Sequence, residues 1–425
     1  MDNQAYDELF TKGRLSAARG VPHVKFVITG ATGYVGRNLV PLLQESGADL
    51  LLAGRDKAKI SRVFPDSRCC DYTELAQEAK SCTVLLHLAV LNNTSNEPLE
   101  TFMKVNVDGA LETAKLAREA GVETFVNFSS THALDQSNTS SYAISKRNAA
   151  DELAKIEGMR VINLYLPYVY NPDFSDRLTF LARLPSPLAR IAFGAIASLK
   201  PTVSVRRIAQ VVRSLESRES PALAEPAIIS DGQSGNPVYG FITRSLDLAF
   251  ALMVTVFFWW ALFIIWALVR IESKGPGIFA QERVGRNGKP FICYKFRTMK
   301  TGTAHLGTHE VSASSVTRLG AVLRKLKLDE LPQIINIFRN EISLIGPRPC
   351  LPVQRDLVEA RRRLGVLALK PGISGLAQIN GVDMSNPEKL AHLDARYLAL
   401  QSLLLDLKII IATALGSGNG DRVAK

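Results

Sequence analysis

An uninterrupted apolar run from Leu248 to Val269 constrains this chain more than any other feature of its sequence. The run, LAFALMVTVFFWWALFIIWALV, contains no charged residue and holds all three tryptophans of the protein. As a helix it would be roughly 33 Å long, which is enough to cross the hydrocarbon core of a bilayer. Its length and continuous apolarity disfavour a helix buried in a soluble protein. The run therefore predicts a membrane helix that separates two halves of the chain.

The composition limits the classes of partner. The chain has 425 residues, 47% hydrophobic and 21% charged, and its net charge is +11, with many basic residues between Arg318 and Arg363. Such a balance suits nucleic acid or an anionic membrane surface. Aromatic residues do not alternate with the basic ones as on a single-strand stacking platform. We therefore expect lipid headgroups and phosphorylated substrates as partners, and no nucleic acid.

Cysteine content and the N-terminal sequence predict the compartment. The five cysteines are an odd number and none forms a CxxC pair, so neither a disulfide framework nor a zinc site is indicated. Residues 1–21 are mixed polar and charged and do not resemble a signal peptide. We expect the first half of the chain to stay in the reducing cytoplasm.

A glycine motif in the first half predicts a dinucleotide site. A short β-branched run, His23 to Thr29, leads into Gly30, Gly33 and Gly36, and helical spacing follows. Strand, glycine turn and helix N-terminus together cradle a pyrophosphate. Further strands alternate with helices, which predicts an α/β fold with a Rossmann-like, doubly wound parallel sheet. Arg55, after the second strand, favours NADP over NAD, because an arginine can pair with a 2′-phosphate.

A second motif in this half predicts acid–base chemistry. Tyr142 and Lys146 are four residues apart and would share one helix face. They come shortly after Ser129, Ser130 and Thr131, which follow a predicted strand ending at Phe128. A lysine ammonium can lower the pKa of a phenol, and a hydroxyl can hold the substrate oxygen to which the phenol passes its proton.

With these residues the first half resembles the extended short-chain dehydrogenase/reductase family, in its sugar-nucleotide branch, over about residues 21–231. Asp71 before an aromatic residue and Asn106 in an NVDG sequence add to the match. The resemblance implies NAD(P) bound by the glycines, Arg55, Asp71, Asn106 and Lys146. It also implies Tyr142 as general acid/base and Thr131, or failing that Ser130, as the group that holds the substrate oxygen.

The first half departs from that family in ways that bear on its reaction. The segment after Pro172 is short for a sugar-nucleotide lobe, and no acidic residue accompanies Thr131 as a dehydratase would require. Reduction of a keto sugar or epimerisation is therefore favoured over dehydration, and a noncatalytic nucleotide-binding module stays open.

The second half carries dense motifs around an acidic pair. Asp329 and Glu330 lie in LDELPQ, amid arginines and Gly-Pro sequences. A carboxylate can attack phosphorus to give an acyl phosphate, while its neighbour holds Mg²⁺ and arginines neutralise phosphate oxygens. Pro332 cannot continue a regular helix hydrogen bond and helps to fix the local backbone.

These motifs, from about residue 240 to 416, resemble the bacterial sugar transferase family of monotopic polyprenyl-phosphate phosphoglycosyl transferases. The resemblance implies ping-pong transfer of a sugar-1-phosphate from a UDP-sugar to undecaprenyl phosphate. Asp329 is then the nucleophile, and Glu330, with Asp329, serves Mg²⁺. Three arginines are candidates for binding the substrate phosphates: Arg318, Arg324 and Arg348.

Both halves then need cytosolic substrates, and this predicts the topology. The family's membrane element is a re-entrant helix broken by a serine-proline pair, whereas this sequence has no proline from Leu248 to Val269. We nevertheless expect a mainly α monotopic domain on the cytoplasmic face of the bacterial inner membrane, with a homodimer left open. The predicted segments are a tail (1–21), the dinucleotide-binding domain (22–232), a linker (233–243), the re-entrant helix (244–272), the transferase domain (273–418) and a tail (419–425).

The two resemblances together suggest consecutive reactions. The first domain would reduce a UDP-4-keto-6-deoxy-N-acetylhexosamine with NAD(P)H, and the second would load the resulting sugar phosphate onto the lipid carrier. A fusion keeps a scarce intermediate near its consumer by raising its effective concentration. An epimerase that supplies the transferase is the alternative.

Overall fold

A computed structural model describes residues 25–174, 178–215, 225–302 and 315–417. The two predicted tails, and the first residues of the predicted strand His23 to Thr29, lie outside this part. The chain forms two compact units. The first comprises the residues up to Ala189 together with Thr202–Asp231, and the second comprises Arg190–Pro201 together with the residues from Gly232 onward.

A seven-stranded parallel sheet forms the centre of the first unit, with the order β3-β2-β1-β4-β5-β6-β9. Two further strands, β7 and β8, pair parallel beside it. The strands are β1 Lys25–Thr29, β2 Asp49–Ala53, β3 Arg68–Cys70, β4 Val84–His87, β5 Thr124–Ser130, β6 Arg160–Leu166, β7 Tyr168–Tyr170, β8 Thr202–Ser204 and β9 Ala227–Ile228.

Both faces of this sheet are buried, because side chains alternate between two apolar layers. Phe26, Ile28 and Leu52 pack in one layer, while Val27 and Leu85 pack in the other. The helices of this unit are α1 Tyr34–Glu45, α2 Lys57–Val63, α3 Leu75–Glu78, α4 Leu99–Met103, α5 Gly109–Glu119, α6 Ser141–Leu153, α7 Thr179–Ala182 and α9 Val205–Ser214, while α8 Ser186–Leu199 begins in it and continues into the second unit. The predicted doubly wound parallel sheet is confirmed.

The second unit is mainly helical. It contains an antiparallel hairpin of β10 Ile278–Val284 and β11 Pro290–Phe296, and a parallel pair of β12 Ser343–Ile345 and β13 Gly372–Ser374. Its helices are α10 Pro237–Glu272, α11 Arg318–Lys325, α12 Ile334–Phe338, α13 Arg355–Arg363, α14 Leu376–Ile379, α15 Pro387–Leu400 and α16 Leu403–Ala414.

Helix α10 contains the apolar run and is one uninterrupted element of 36 residues that begins earlier than the sequence predicted. Asn236 caps its N-terminus, and proline at the first helical position is compatible with the helix because its missing N–H would be unsatisfied there anyway. The helix is long and apolar enough to cross a membrane, and only 11% of its most apolar stretch is buried in the protein. Phe257 and Trp259 are 66% and 63% exposed. A core helix of a soluble protein would hide these side chains, so the exposed surface fits a membrane-associated element.

Candidate functional sites

The glycine turn of the first unit brings backbone segments close together. Gly30 has a φ of +72°, and a Cβ there would lie 2.5 Å from the backbone of Leu88 and Ala89 at the end of β4. A Cβ on Gly36 would lie 2.6 Å from the backbone of Ala31. Gly33 is the N-cap of α1 and supplies no side chain to its orphan N–H groups. The turn thus leaves helix N–H groups facing a cradle that any side chain would fill, and this cradle fits a dinucleotide pyrophosphate.

Arg55 and Asp71 lie after neighbouring strands of the same sheet edge. Arg55 is exposed after β2. The Asp71 carboxylate accepts hydrogen bonds from the Thr73 N–H at 2.8 Å and the Glu74 N–H at 3.1 Å, and the Thr73 hydroxyl lowers its pKa. One oxygen of Asp71 is therefore engaged in the turn before α3.

The Asn106 side chain forms hydrogen bonds within the protein. Its Oδ1 accepts from the Leu91 N–H at 2.7 Å, and its Nδ2 donates to the Leu91 carbonyl at 3.2 Å and to the Ser145 hydroxyl at 2.9 Å. The side chain is buried, and these bonds use both of its N–H donors and one of the two lone pairs of Oδ1. Asn106 ties the segment after β4 to α6, and its assignment to the cofactor site stays a prediction.

The acid–base pair forms where β5 ends beside α6. Burial raises the pKa of the Tyr142 phenol, and the nearby Ser130 hydroxyl lowers it by a smaller amount. Ser130 also accepts from the His132 N–H as the cap of the short turn Thr131–Leu134. The structure therefore brings Ser130 to the phenol, whereas Thr131 was the first choice from sequence.

Lys146 is buried on the same helix as Tyr142. Its Nζ donates to the Phe128 carbonyl at 2.8 Å, and burial lowers its pKa to about 8. It does not reduce the pKa of Tyr142 in this structure, where burial dominates and raises that value. The lysine thus orients itself on the β5 backbone beside the phenol.

A buried hydroxyl at the same strand end supports a nicotinamide site. Ser129 is buried, and its Oγ makes no hydrogen bond with the part of the chain that the structure describes. A buried polar atom without a hydrogen-bond partner is rare in a folded protein. Together with the glycine cradle, this atom at the carboxyl edge of the sheet fits a dinucleotide cofactor.

The second site is built on a short 3₁₀ turn, Leu328–Gln333, that carries the acidic pair. Lys327, just before it, has a φ of +56°, and Pro332 is buried inside it. The left-handed residue ends α11 and redirects the chain, and the proline shapes the turn that leads into α12. These two positions place Asp329 and Glu330 beside the β10–β11 hairpin.

The two carboxylates have different surroundings. Glu330 Oε1 accepts from Lys295 Nζ at 2.7 Å and from Arg348 at 2.8 Å, and only 11% of its side chain is exposed. Asp329 makes no hydrogen bond through its side chain within the described residues. Burial and the neighbouring Glu330 charge raise the pKa of Asp329, while surrounding cations oppose this effect. The Glu330 carboxylate is therefore held by two cations, whereas no side-chain hydrogen bond within the described residues holds the Asp329 carboxylate.

Both carboxylates line a cavity of about 620 Å³. Phe250 of α10 forms part of its wall. Arg324 is held by a bond from its Nε to Thr298 Oγ1 at 2.9 Å. The charged groups in the lining include Lys295, Arg324, Lys327, Asp329, Glu330 and Arg348. The arrangement is a partly open, cationic space around an unclamped carboxylate, suited to a diphosphate.

Arg318 does not join this cavity. It lies exposed in the first turn of α11 and is not part of the lining. Sequence proximity to the acidic pair suggested a phosphate ligand, but the helix turns this residue outward.

Two lysines of the site were not predicted. Lys295, which binds Glu330, lies on β11, and Lys327 lines the cavity. Their signal was the dense motif composition around them, KFRTM and LDELPQ, but residue spacing alone gives no sign of a contact between the hairpin and the turn.

The acidic pair offers two carboxylates as donors to a metal ion. Mg²⁺ is usually bound by one or two carboxylates, with waters and substrate phosphates completing an octahedron. Among the described residues, no group of three or more His, Cys, Asp or Glu side chains could hold a metal. Asp329 and Glu330 thus fit a metal that arrives with a phosphorylated substrate, rather than a cage made by the protein.

Comparisons with known proteins match both halves separately. The model of the NAD dependent epimerase/dehydratase family matches residues 26–192, and that of the bacterial sugar transferase family matches residues 238–418. The Uncharacterized sugar transferase EpsL of Bacillus subtilis (strain 168) is 42% identical over 150 residues, covering 35% of this chain and 72% of that protein.

A second relative and a solved structure cover different parts of the chain. The UDP-N-acetylgalactosamine-undecaprenyl-phosphate N-acetylgalactosaminephosphotransferase of Aeromonas hydrophila is 36% identical over 189 residues, covering 42% of this chain and 44% of that protein. The crystal structure of Bordetella bronchiseptica WbmG with NAD covers 48% of this chain and 72% of its own, at 20% identity and a TM-score of 0.37.

Proposed function

Because this chain belongs to the bacterial sugar transferase family and carries an NAD-dependent epimerase/dehydratase domain before the transferase domain, we propose that it is a bifunctional enzyme of surface-glycan assembly. Its second domain transfers a sugar-1-phosphate from a UDP-sugar to undecaprenyl phosphate. Its first domain makes the donor by NAD(P)H-dependent reduction of a UDP-4-keto-6-deoxy-N-acetylhexosamine.

One observation carries the transferase proposal: Asp329 is unclamped in a cationic cavity, while Glu330 is held by Lys295 and Arg348. An Oδ atom of Asp329 forms a bond to the sugar-bearing phosphorus. The bond from that phosphorus to the bridging oxygen breaks, and UMP leaves. An oxygen of undecaprenyl phosphate then attacks the same phosphorus and releases the Asp329 carboxylate.

The surrounding cations stabilise the negative charge that develops on the phosphate oxygens during both displacements. Arg324, Lys327 and Arg348 line the cavity and neutralise phosphate oxygens that become more negative in the transition state. Asp329 and Glu330 would hold Mg²⁺, which when bound adds charge neutralisation at the diphosphate.

The first domain's chemistry follows from Tyr142 and its neighbours. Burial raises the pKa of the Tyr142 phenol, so it is protonated at neutral pH and can donate its proton to a substrate carbonyl oxygen. Ser130 contacts the same phenol and can hold that oxygen. NADPH or NADH, when bound, supplies the hydride. A proton donor that is protonated at neutral pH suits reduction of a ketone.

The membrane helix defines where the two reactions take place. We place both units on the cytoplasmic face of the inner membrane, because both reactions use cytosolic nucleotides. The re-entrant course of the membrane element stays a prediction, because α10 is one uninterrupted helix. We propose that the lipid phosphate enters the cavity from the side of α10, where Phe250 forms part of the lining.

The transferase proposal is tested by UMP release and by mass spectrometry of the enzyme. Wild-type protein in nanodiscs should release UMP from its UDP-sugar before lipid phosphate is added and should carry a phosphosugar on the peptide that contains Asp329. Asp329→Asn should lose both, with turnover falling roughly 10⁴–10⁶-fold. Glu359→Gln, which changes an exposed carboxylate in the same unit, is the matched control and should stay active. Unchanged UMP release by Asp329→Asn would remove the nucleophile assignment.

The first domain is tested by nicotinamide absorbance. With a UDP-4-keto sugar, wild type should consume NADPH, and Tyr142→Phe should stop consumption without affecting UMP release. Turnover of a sugar nucleotide without net oxidation of the cofactor would instead identify an epimerase. Cofactor binding without any turnover would identify a noncatalytic module.

A further inference from the structure

Helix α8 exposes an apolar face that the proposed function does not use. The helix sequence is SPLARIAFGAIASL, and Ile191 and Leu199 are 55% and 48% exposed. Leu188, Ile191 and Leu199 follow helical spacing and share one face. Ala197, on the other side, is buried. An apolar helix of this kind that leaves its apolar face uncovered needs a partner.

Hydrogen bonds attach α8 to the start of the membrane helix. Asn236 Nδ2 donates to the Gly194 carbonyl at 2.8 Å, and Gln233 Nε2 donates to the Ala197 carbonyl at 2.7 Å. The same Asn236 caps α10 through its Oδ1. Gly194 permits this approach, because a Cβ there would lie 2.9 Å from Asn236 Oδ1. The uncovered face of α8 therefore belongs to an element fixed to the first turn of a lipid-facing helix.

The charges around the face are all of one sign. Arg183, Arg190 and Lys200 are exposed at or near the helix, and no acidic residue occurs from Leu178 to Pro201. An apolar helix face with flanking basic side chains is the pattern of a helix that lies in the headgroup layer of an anionic bilayer.

We propose that α8 is a second membrane contact of this protein. Its apolar face lies roughly 5–10 Å into the headgroup and acyl boundary of an anionic leaflet, and Lys200 meets lipid phosphates. The attachment to α10 favours the bilayer over a second copy of the chain as the occupant, because α10 already brings this end of α8 to the lipid.

The test uses the full chain with an environment-sensitive fluorophore. Cys69 is the one cysteine of the chain that is not buried, so a Cys69→Ser background receives single cysteines labelled with NBD. Ile191→Cys and Leu199→Cys report the apolar face. Arg190→Cys is the matched control, because it is exposed on a different side of the same helix. Each protein is reconstituted in vesicles of phosphatidylglycerol and phosphatidylcholine, with or without doxyl-labelled lipid.

The expected result is a blue-shifted emission at positions 191 and 199 and loss of most of it to doxyl lipid, with a much smaller loss at position 190. The additional change Lys200→Glu should weaken quenching at position 199 in phosphatidylglycerol vesicles. The proposal would be overturned if the labels at 191 and 199 were as exposed to water and as little quenched as the label at 190, while the α10 tryptophans were quenched. Emission that is blue-shifted in detergent, insensitive to doxyl lipid and dependent on protein concentration would assign the face to a second copy and also overturn it.

Discussion

At the scale of single residues, the two adjacent carboxylates are distinguished by what binds them. Asp329 has a pKa raised by burial and by the Glu330 charge, and only its ionised form can attack phosphorus. UMP release should therefore fall as the pH is lowered through this raised pKa. Glu330→Gln removes the like charge and should move the acidic limb of Asp329 to lower pH, although total activity drops.

The measurement is the pH profile of UMP release in the absence of lipid phosphate, for wild type and Glu330→Gln. If the acidic limb of the pH profile moved to higher pH in the variant, or stayed in place, the ionisation of Asp329 would not determine that limb.

The hydroxyl that assists Tyr142 is a second prediction at this scale. Because Ser130 and not Thr131 contacts the phenol, Ser130→Ala should slow NADPH oxidation by about 10²–10³-fold, as for loss of one donor to a developing oxyanion. Thr131→Val is the matched control and should retain most activity. Steady-state rates with the UDP-4-keto sugar decide between them, and the reverse order would restore the sequence-based assignment.

Local patterns predicted those site residues whose role depends on local backbone. The glycine turn needs short contacts and a positive φ at Gly30, which only a glycine accepts readily. The acidic pair could be predicted because many other motif residues surround it in the sequence. Lys295 could not be predicted as the partner of Glu330, because that contact joins a hairpin strand to a turn far along the chain. The outward position of Arg318 likewise depends on the rotation of α11.

At the scale of elements, Arg297 holds the end of the long helix. Its guanidinium donates to the Lys274 carbonyl at 2.9 Å and the Val269 carbonyl at 3.3 Å, and it also contacts the Ser273 carbonyl. These carbonyls lie at and just after the C-terminus of α10, where a cation is also favoured by the helix dipole. Sequence predicted the helix but not this cap.

Arg297→Met should therefore destabilise the second unit by at least about 1.5–3 kcal/mol, the contribution of one hydrogen bond to a charged group. Amide hydrogen exchange in the last turn of α10 should accelerate accordingly in nanodiscs. Arg362→Met, at an exposed ion pair, should change stability by less than about 0.5 kcal/mol. Equal effects of the two substitutions would show that the cap does not stabilise the helix end.

At the scale of the whole molecule, the two proposed reactions would use the same nucleotide sugar on one chain. Sequence predicted the two domains and the membrane helix between them, because strand alternation and an apolar run are strong signals. It did not predict that α10 continues without interruption from Pro237, or that part of α8 belongs to the second unit. Those features depend on long-range packing.

The most direct measurement is mass spectrometry of the lipid-linked product made by the full protein from a UDP-4-keto-6-deoxy-N-acetylhexosamine and undecaprenyl phosphate. With NADPH, the account predicts a lipid-linked phosphosugar heavier by two hydrogens than the keto form, and Tyr142→Phe should not produce it. A lipid-linked product of the same mass with and without NADPH, from an active transferase, would contradict the account.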